Sequence, residues 1–478
     1  MLKRLGWAIL IAGTLLFYLA GQRKNPPAFF ADESANSYNA YTLATRGVDQ
    51  WGHRYPLFIS AYGEIDHHPV PVNPTQIYLL AGVFRVVHPS NLVARRVSAF
   101  SGYAAALLLA ALAWRITRSH LIAAITLLTA IATPMLFEIS RLAFEVSLYP
   151  LAAAAFLWSV YEASRHERWS AAQIASIIGS LLLVAYNYSI GRLLAALLLG
   201  LLVAVFATRR RMVALAVIAT LFVALAVIPM ALYNHRTNGS LTERFQYLSY
   251  GGELRHYPLH LLAAFEQHYV DNLLPLSMAV RGDPNPRHHV PGSGGSILLM
   301  SYVLAGIGAV IGLRRRDRWW IFVSAGTLLS IVPASLTNDQ FHSLRLSPFP
   351  VFLITLSILA LWSIKPKWLI AVLALGVIQA AWFFYVFHRD GADRWLYFDA
   401  GAGQVVRDAL ATGQRPIRLD IGTPVHAYWF AAQHDVDRSV FLQGATTVHG
   451  SLVITDHPIP PNTRVVSNHW PFAAYVVP

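Results

Sequence analysis

Apolar runs of roughly 17–25 residues, the length a helix needs to cross a bilayer, recur along most of the chain between short polar segments. About eleven can be marked by apolar length and flanking charge: Gly6–Gly21, Val97–Trp114, Leu121–Phe137, Glu145–Tyr161, Ala171–Tyr188, Leu193–Thr208, Met212–Tyr233, Ser296–Leu313, Trp319–Pro333, Pro348–Ser363 and Trp368–Phe387. The pattern predicts an all-α polytopic membrane region over residues 1–388. Two long interruptions fall at 22–96 and 234–295. In the first, a helix-compatible run starts near Asp32 and stops at Gly47. A second run starts at Asn73-Pro74, with Pro in the favoured first turn, and puts Ile77, Leu80, Ala81 and Phe84 on one face, so this helix is expected to lie along the membrane surface. The second interruption holds a predicted helix over Leu259–Val270 and a Pro/Gly/His-rich stretch, Arg281 to Gly295, expected to be mobile. Residues 389–478 lose the long apolar runs. Strands are expected at Arg415–Ile421, Ser451–Thr455 and Phe472–Val477, and helices at Ala402–Thr412 and Pro424–Gln433, giving a small C-terminal α/β domain.

Composition agrees. Hydrophobic residues make up 55% and charged residues 13%, against a charged fraction of about 25% in soluble proteins. The net charge of +13 does not indicate nucleic acid. Lys and Arg cluster in alternate short loops: Lys3/Arg4, Arg115/Arg118, Arg165/Arg168, Arg209-Arg210-Arg211, Arg314-Arg315-Arg316/Arg318 and Lys365/Lys367. The intervening short loops carry single arginines. The positive-inside rule puts the rich set and the N-terminus in the cytoplasm, so the expected location is the plasma (inner) membrane with both long loops and the C-terminal domain extracytoplasmic. The first run follows Lys3 and Arg4 and has no clear small-residue cleavage site, so a retained signal-anchor is expected. Cysteine is absent, which excludes disulfides and thiolate metal sites.

On the predicted outer face, polar groups gather at span ends. Asp32 and Glu33 head the first outer helix, where Asp32 also suits an N-cap. Short loops add Glu138/Arg141/Glu145, Tyr186-Asn187-Tyr188 with Arg192, and Asn338 to Arg345 with His342. Carboxylates can handle a hydroxyl, and arginine forks suit a phosphate, so a cavity holding both suits a lipid-linked phosphate substrate. Plain alternatives are snorkelling for the arginines, an i,i+4 ion pair for Arg141 and Glu145, and helix-dipole complementation for Glu33. Glu64, Asp66, His67 and His68 form a cluster that invites a divalent metal. Adjacent histidines do not easily serve one compact site without further ligands, and His288/His289 meet the same objection.

The order of these pieces resembles the polyprenyl-phosphate-sugar-dependent membrane glycosyltransferases of the GT-C fold. The branch is that of the dolichyl-phosphate-mannose–protein mannosyltransferases and the lipid A aminoarabinose transferase. Phe30-Ala31-Asp32-Glu33 is similar to the family's acidic motif. Asn73-Pro74-Thr75-Gln76-Ile77-Tyr78, with Ala94-Arg95-Arg96 after it, is similar to its Pro–aromatic helix and Arg-led second span. Ser140-Arg141-Leu142-Ala143-Phe144-Glu145 and His342-Ser343-Leu344-Arg345 resemble its later segments. The resemblance covers the membrane part. It implies an inverting transfer of a sugar from a polyprenyl-phosphate donor to an acceptor hydroxyl on a protein, lipid or glycan at the outer face. Asp32 would be the general base, with Glu33 beside it. Arg345 first, then Arg192, Arg141 and His342, would hold the donor phosphate. Glu145, Glu64, His67 and His68 would orient the acceptor or the arginines. It implies no obligatory metal. The alternative is a transporter or flippase for a lipid-linked glycan, for which paired broken helices and midplane polar groups are expected instead.

Overall fold

The computed structural model describes residues 2–65, 68–254, 256–339 and 341–478, without the side chains of 2–3, 62–69 and 253–255. Helix α1 (Leu2–Leu19) leads to α2 (Ala31–Arg46), a hairpin of β1 (Ile59–Ile65) and β2 (His68–Val72), and α3 (Pro74–Phe84). Next come α4 (Asn91–Thr117), α5 (His120–Ala132), α6 (Pro134–Ile139), α7 (Tyr149–Ser164), α8 (Ala171–Asn187) and α9 (Gly191–Phe206). Helix α10 (Met212–Phe222) continues through a π-helical turn into α11 (Ile228–Arg236), followed by α12 (Ser240–Leu248), α13 (Gly251–Leu254) and α14 (Pro258–Leu273). The membrane part closes with α15 (Leu299–Arg315), α16 (Arg318–Leu329), α17 (Val332–Ser335), α18 (Ser343–Leu346), α19 (Pro348–Ser363) and α20 (Pro366–Asp390). The tail adds α21 (Ala402–Ala411), β3 (Ile417–Asp420), α22 (Val425–Gln433), β4 (Phe441–Gln443), β5 (Leu452–Thr455), β6 (Arg464–His469) and β7 (Phe472–Val476).

Three helical stretches are long and apolar enough to cross a membrane, Asn91–Thr117, Met212–Arg236 and Pro366–Phe398, and further apolar helices are shorter, at 10–17 residues. Proline explains much of the shortening, because it removes a helical N–H and clashes with the preceding turn. The run Leu121–Phe137 divides at Thr133-Pro134 into α5 and α6, and Trp319–Pro333 divides ahead of Pro333 into α16 and α17. The run expected from Glu145 begins with a 3₁₀ turn, Glu145–Leu148, and becomes α7 only at Tyr149. Helix α19 is buried on every side from Pro348 to Leu361, as an all-round apolar helix must be, and forms the centre of the bundle.

The predicted tail elements are present within a residue or two, and β4 and β6 join them. The sheet order is β4-β3-β5-β7-β6, with β3 parallel to both neighbours and β7 antiparallel to both of its own. This sheet does not close a core alone. Val405, Trp429 and Leu452 share one apolar cluster with Tyr38 and Leu43 of α2 and Ile77, Leu80 and Phe84 of α3. The face of α3 expected to be apolar is thus buried against protein.

Candidate active site

The arginine-rich loops and the acid-bearing loops occupy opposite ends of the helices. At the first end lies a cavity of about 880 Å³, lined by Arg165, Arg209, Arg315 and Arg318 with three tryptophans. Its two acids are engaged, Glu167 with Arg210 and Asp317 as the cap of α16. Charge collected there is what membrane topology demands, so the candidate chemistry belongs at the other end.

Helix α2 starts one residue earlier than expected. Phe30 is its N-cap, and Asp32 stands in the first turn; the capping carboxylate is Glu33, whose Oε2 accepts from the Phe30 N–H at 3.0 Å. Gly47 ends the helix in the left-handed conformation (φ +69°), where a Cβ would also meet the Tyr55 hydroxyl at 2.8 Å. Glu33 is fully buried. It takes Arg95 Nε at 2.9 Å, Arg95 Nη2 at 2.7 Å and the Ala143 N–H at 2.9 Å. The same guanidinium donates to the carbonyls of Pro26 and Ala28. Glu33 is therefore a fixed strut, whereas Asp32 beside it is partly exposed. One turn on, Asn36 donates to the Ala143 carbonyl at 3.3 Å, so the Asp32 side of α2 meets the segment 141–145.

Arg141 is 1% exposed and donates to the carbonyls of Tyr18, Ala20 and Asn25 at 3.1, 2.7 and 3.3 Å, with its guanidinium over Phe137. It caps the end of α1, and no ion pair joins it to Glu145. Glu145 instead accepts from the Asn73 N–H at 2.6 Å and from Asn73 Nδ2 at 3.1 Å. Asn73 Oδ1 in turn accepts from Arg192 Nη2 at 2.9 Å. Burial pushes the Glu145 carboxyl up to about 7, against the lowering pull of the Asn73 N–H groups and of the Arg244 and Arg192 charges.

Arg345, on the short helix α18, is 5% exposed. Its Nη1 lies 2.8 Å from Asp339 Oδ2, but the alignment is poor, and Nε and Nη1 have no hydrogen-bond acceptor among the described residues. Arg192 Nε and His342 Nδ1 share that condition. His342 is pushed well below the ordinary histidine range by burial and then by His288, Arg345 and Arg287. Buried guanidinium donors without acceptors are costly, so Arg345 and Arg192 favour an anion. Of the remaining expected residues, Glu64, His67 and His68 lie outside the residues whose side chains the structure describes.

The segment Arg281 to Gly295 is not a free loop. Asp283, His288 and His289 are all buried. His289 Nδ1 lies 2.5 Å from Glu138 Oε2, and Glu138 Oε1 takes the Val290 N–H at 3.0 Å and Arg394 at 3.3 Å. Asp283, His288 and His342 place their ligand atoms within 4.8 Å of one another, a set that could hold a divalent ion. Among the described residues the metal-capable group thus joins His288, one of the adjacent histidines considered in the sequence, to His342 and Asp283; His67 and His68 lie outside the described side chains. Burial alone would raise the Asp283 carboxyl, but His288 and the Ser343 and Asn285 N–H groups outweigh it and hold it below its usual range.

Three further contributors carried no sequence signal. Arg287 lies over the Phe30 ring at 4.2 Å, one residue before the Asp32 helix. Asp399 Oδ2 accepts from the Ala31 N–H at 3.2 Å and lies 3.1 Å from His426 Nε2, whose Nδ1 is 3.0 Å from Ser34 Oγ. Ser34 is 1% exposed, so this serine–histidine–aspartate chain ties the tail to α2 and is not a nucleophile's relay.

No family model matches the chain, and no curated protein matches it in sequence. Solved structures do. ArnT from Cupriavidus metallidurans bound to undecaprenyl phosphate superimposes with a TM-score of 0.65 at 12% identity, covering 98% of each chain. Its apo form gives a TM-score of 0.66 at 12% identity, over 99% of this chain and 98% of that one. The chain has the ArnT fold. The GT-C architecture implied by the motif order for the membrane part is therefore the one found, and the superposition also extends over the tail.

Proposed function

We propose that the protein is an inverting membrane glycosyltransferase. It would move a sugar from a polyprenyl-phosphate donor to an acceptor hydroxyl at the extracytoplasmic face of the plasma membrane. The observation that supports this reading is the chain of neighbours running from the Asp32 turn to the arginine loops: Arg287 lies over the Phe30 ring and, with Arg345, acts on His342, while Arg345 Nε and Arg192 Nε have no hydrogen-bond acceptor among the described residues. ArnT, of the same fold, is seen with undecaprenyl phosphate, which supports a lipid phosphate as the donor's carrier.

In this mechanism Asp32 accepts the proton of the acceptor hydroxyl as its oxygen forms a bond to the anomeric carbon from the side opposite the phosphate. The carbon–oxygen bond to phosphate breaks, its electron pair leaves on the phosphate, and the configuration inverts. The arginines stabilise the departing phosphate, which is a good leaving group without strong acid catalysis. Glu33 and Arg141 hold backbone in place, and Glu145 sets the Asn73–Arg192 pair. We assign no step to a metal. Asp32→Asn is expected to lower transfer by at least about a hundredfold while binding of undecaprenyl phosphate is retained. Sugar transfer in envelope extracts, read by mass spectrometry of glycolipids and glycoproteins, checks the first part. Wild-type transfer by the variant would remove Asp32 from the mechanism.

A further inference from the structure

The C-terminal sheet has a crevice of its own, separate from the Asp32 cluster. Strands β3, β4 and β5 run parallel, and in open α/β sheets ligands sit beyond the carboxyl ends of such strands. Here that position is a cavity of about 430 Å³, within the roughly 300–1,000 Å³ of small-molecule sites. Its floor is the turn from β3 into α22, held where the Gly422 N–H donates to Asp456 Oδ2 at 3.0 Å. Its rim is Trp51, from the segment ahead of β1. The indole Nε1 donates to the Ser60 carbonyl at 2.6 Å, and the neighbouring Gln50 amide donates to Ser60 and Ala61 at 3.0 and 2.6 Å. Arg438 fixes the Gln50 carbonyl at 2.8 Å. Trp51 is therefore held in place with 43% of its surface exposed.

The polar lining is a carboxylate (Asp420), a hydroxyl (Thr423), an amide (Gln443) and an imidazole (His457). Gln443 Nε2 already donates to the Tyr428 hydroxyl at 3.0 Å, leaving its carbonyl oxygen to face the cavity contents. Among the described residues, no lysine or arginine lines the crevice. A phosphate would meet Asp420 with no cation to offset it. A neutral polyhydroxylated ring fits: its C–H face covers the indole, while its hydroxyls donate to the carboxylate and amide oxygens.

We infer that this crevice is a saccharide-binding subsite for a neutral glycan. Its role, seating a glycan acceptor for transfer, rests on the function proposed above; the binding itself does not. The helix that starts at its floor, α22, also carries His426, bonded to Ser34 two residues from Asp32, so an occupant here is registered against the Asp32 turn.

The test uses the full chain in lipid nanodiscs. The probes are the methyl glycosides of glucose, galactose, mannose and N-acetylglucosamine, with maltose, lactose and chitobiose, read by saturation-transfer NMR and titration. At least one probe is expected to bind, and Trp51→Ala and Asp420→Asn are each expected to weaken it tenfold or more. Trp51→Phe should retain binding, and Asp32→Asn should bind as wild type even where transfer fails. Gln443→Ala, on an exposed strand, replaces Trp51→Ala if that variant does not fold. The proposal is overturned if no probe binds, if binding survives both substitutions, if Asp32→Asn abolishes it, or if inorganic phosphate displaces the saccharide.

Discussion

At the scale of single residues, adjacent carboxylates have taken opposite fates, and burial decides which. Glu33 lies among Arg95 and two backbone N–H groups, so its charge is matched inside the protein. Asp32 remains partly exposed. The residue types and their spacing made the acid pair legible, but not that Glu33 is the buried member, because its partner Arg95 lies 62 residues away. The same holds for Arg141, whose partners are backbone carbonyls that no motif encodes. Arg345→Ala is expected to weaken undecaprenyl-phosphate binding tenfold or more without altering folding, measured by titration in nanodiscs. Unchanged affinity would move the phosphate site elsewhere. Glu145 brings a pH dependence. Its carboxyl is neutral below about 7 and negative above it. A new negative charge near Arg192 opposes an anionic donor, so donor KM is expected to rise as pH climbs through that value. Glu145→Gln should flatten the rise. The raised value has a stability counterpart: the contribution is present below about 4.5 and lost as pH rises toward about 7, so thermal unfolding of the Gln variant should vary less across that window.

Among the elements, α2 depends most on a single pair. Removing one partner of a buried ion pair leaves the other charge uncompensated and costs about 3–5 kcal/mol. Arg95→Ala is expected to destabilise the protein by that order, seen as a lower thermal midpoint and loss of transfer together. Helix α3 followed from the Asn73-Pro74 start and the i, i+3, i+4 apolar face, but that face packs on α2 and the C-terminal sheet and not on the membrane surface. The β1–β2 hairpin did not, because two prolines in His68-Pro69-Val70-Pro71-Val72 argue against a strand until an edge position excuses them. The segment Arg281 to Gly295 was misjudged for a related reason. Its composition is that of a loop, yet Glu138 and Ser343 supply the partners that bury it. Because Arg345 and Arg192 already supply cations, transfer is expected to survive dialysis against EDTA. Loss that zinc or manganese restores would instead place a working ion at Asp283, His288 and His342.

For the whole molecule, hydropathy alone carried the membrane region and its two-ended charge, since both follow from the solvent rather than from specific contacts. The boundary expected near residue 388 is less sharp than composition suggests. Composition changes there, but the apolar cluster of α2 and α3 runs on into the C-terminal sheet. His426→Ala is expected to raise hydrogen exchange in both α2 and α22 and to lower transfer, although neither helix loses a membrane contact. Exchange confined to α22 would separate the tail from the Asp32 turn.

That tie has a consequence in time. Ser34 and His426 are 392 residues apart in the chain. At a ribosomal rate of about 5–20 residues per second, the first turn of α2 waits roughly 20–80 s after its own synthesis for the histidine that secures it. Until then its apolar face, Tyr38 and Leu43 included, has no sheet to cover it. A nascent chain that stalls or is cut before α22 would leave this helix uncovered, so a segment made late completes one made early.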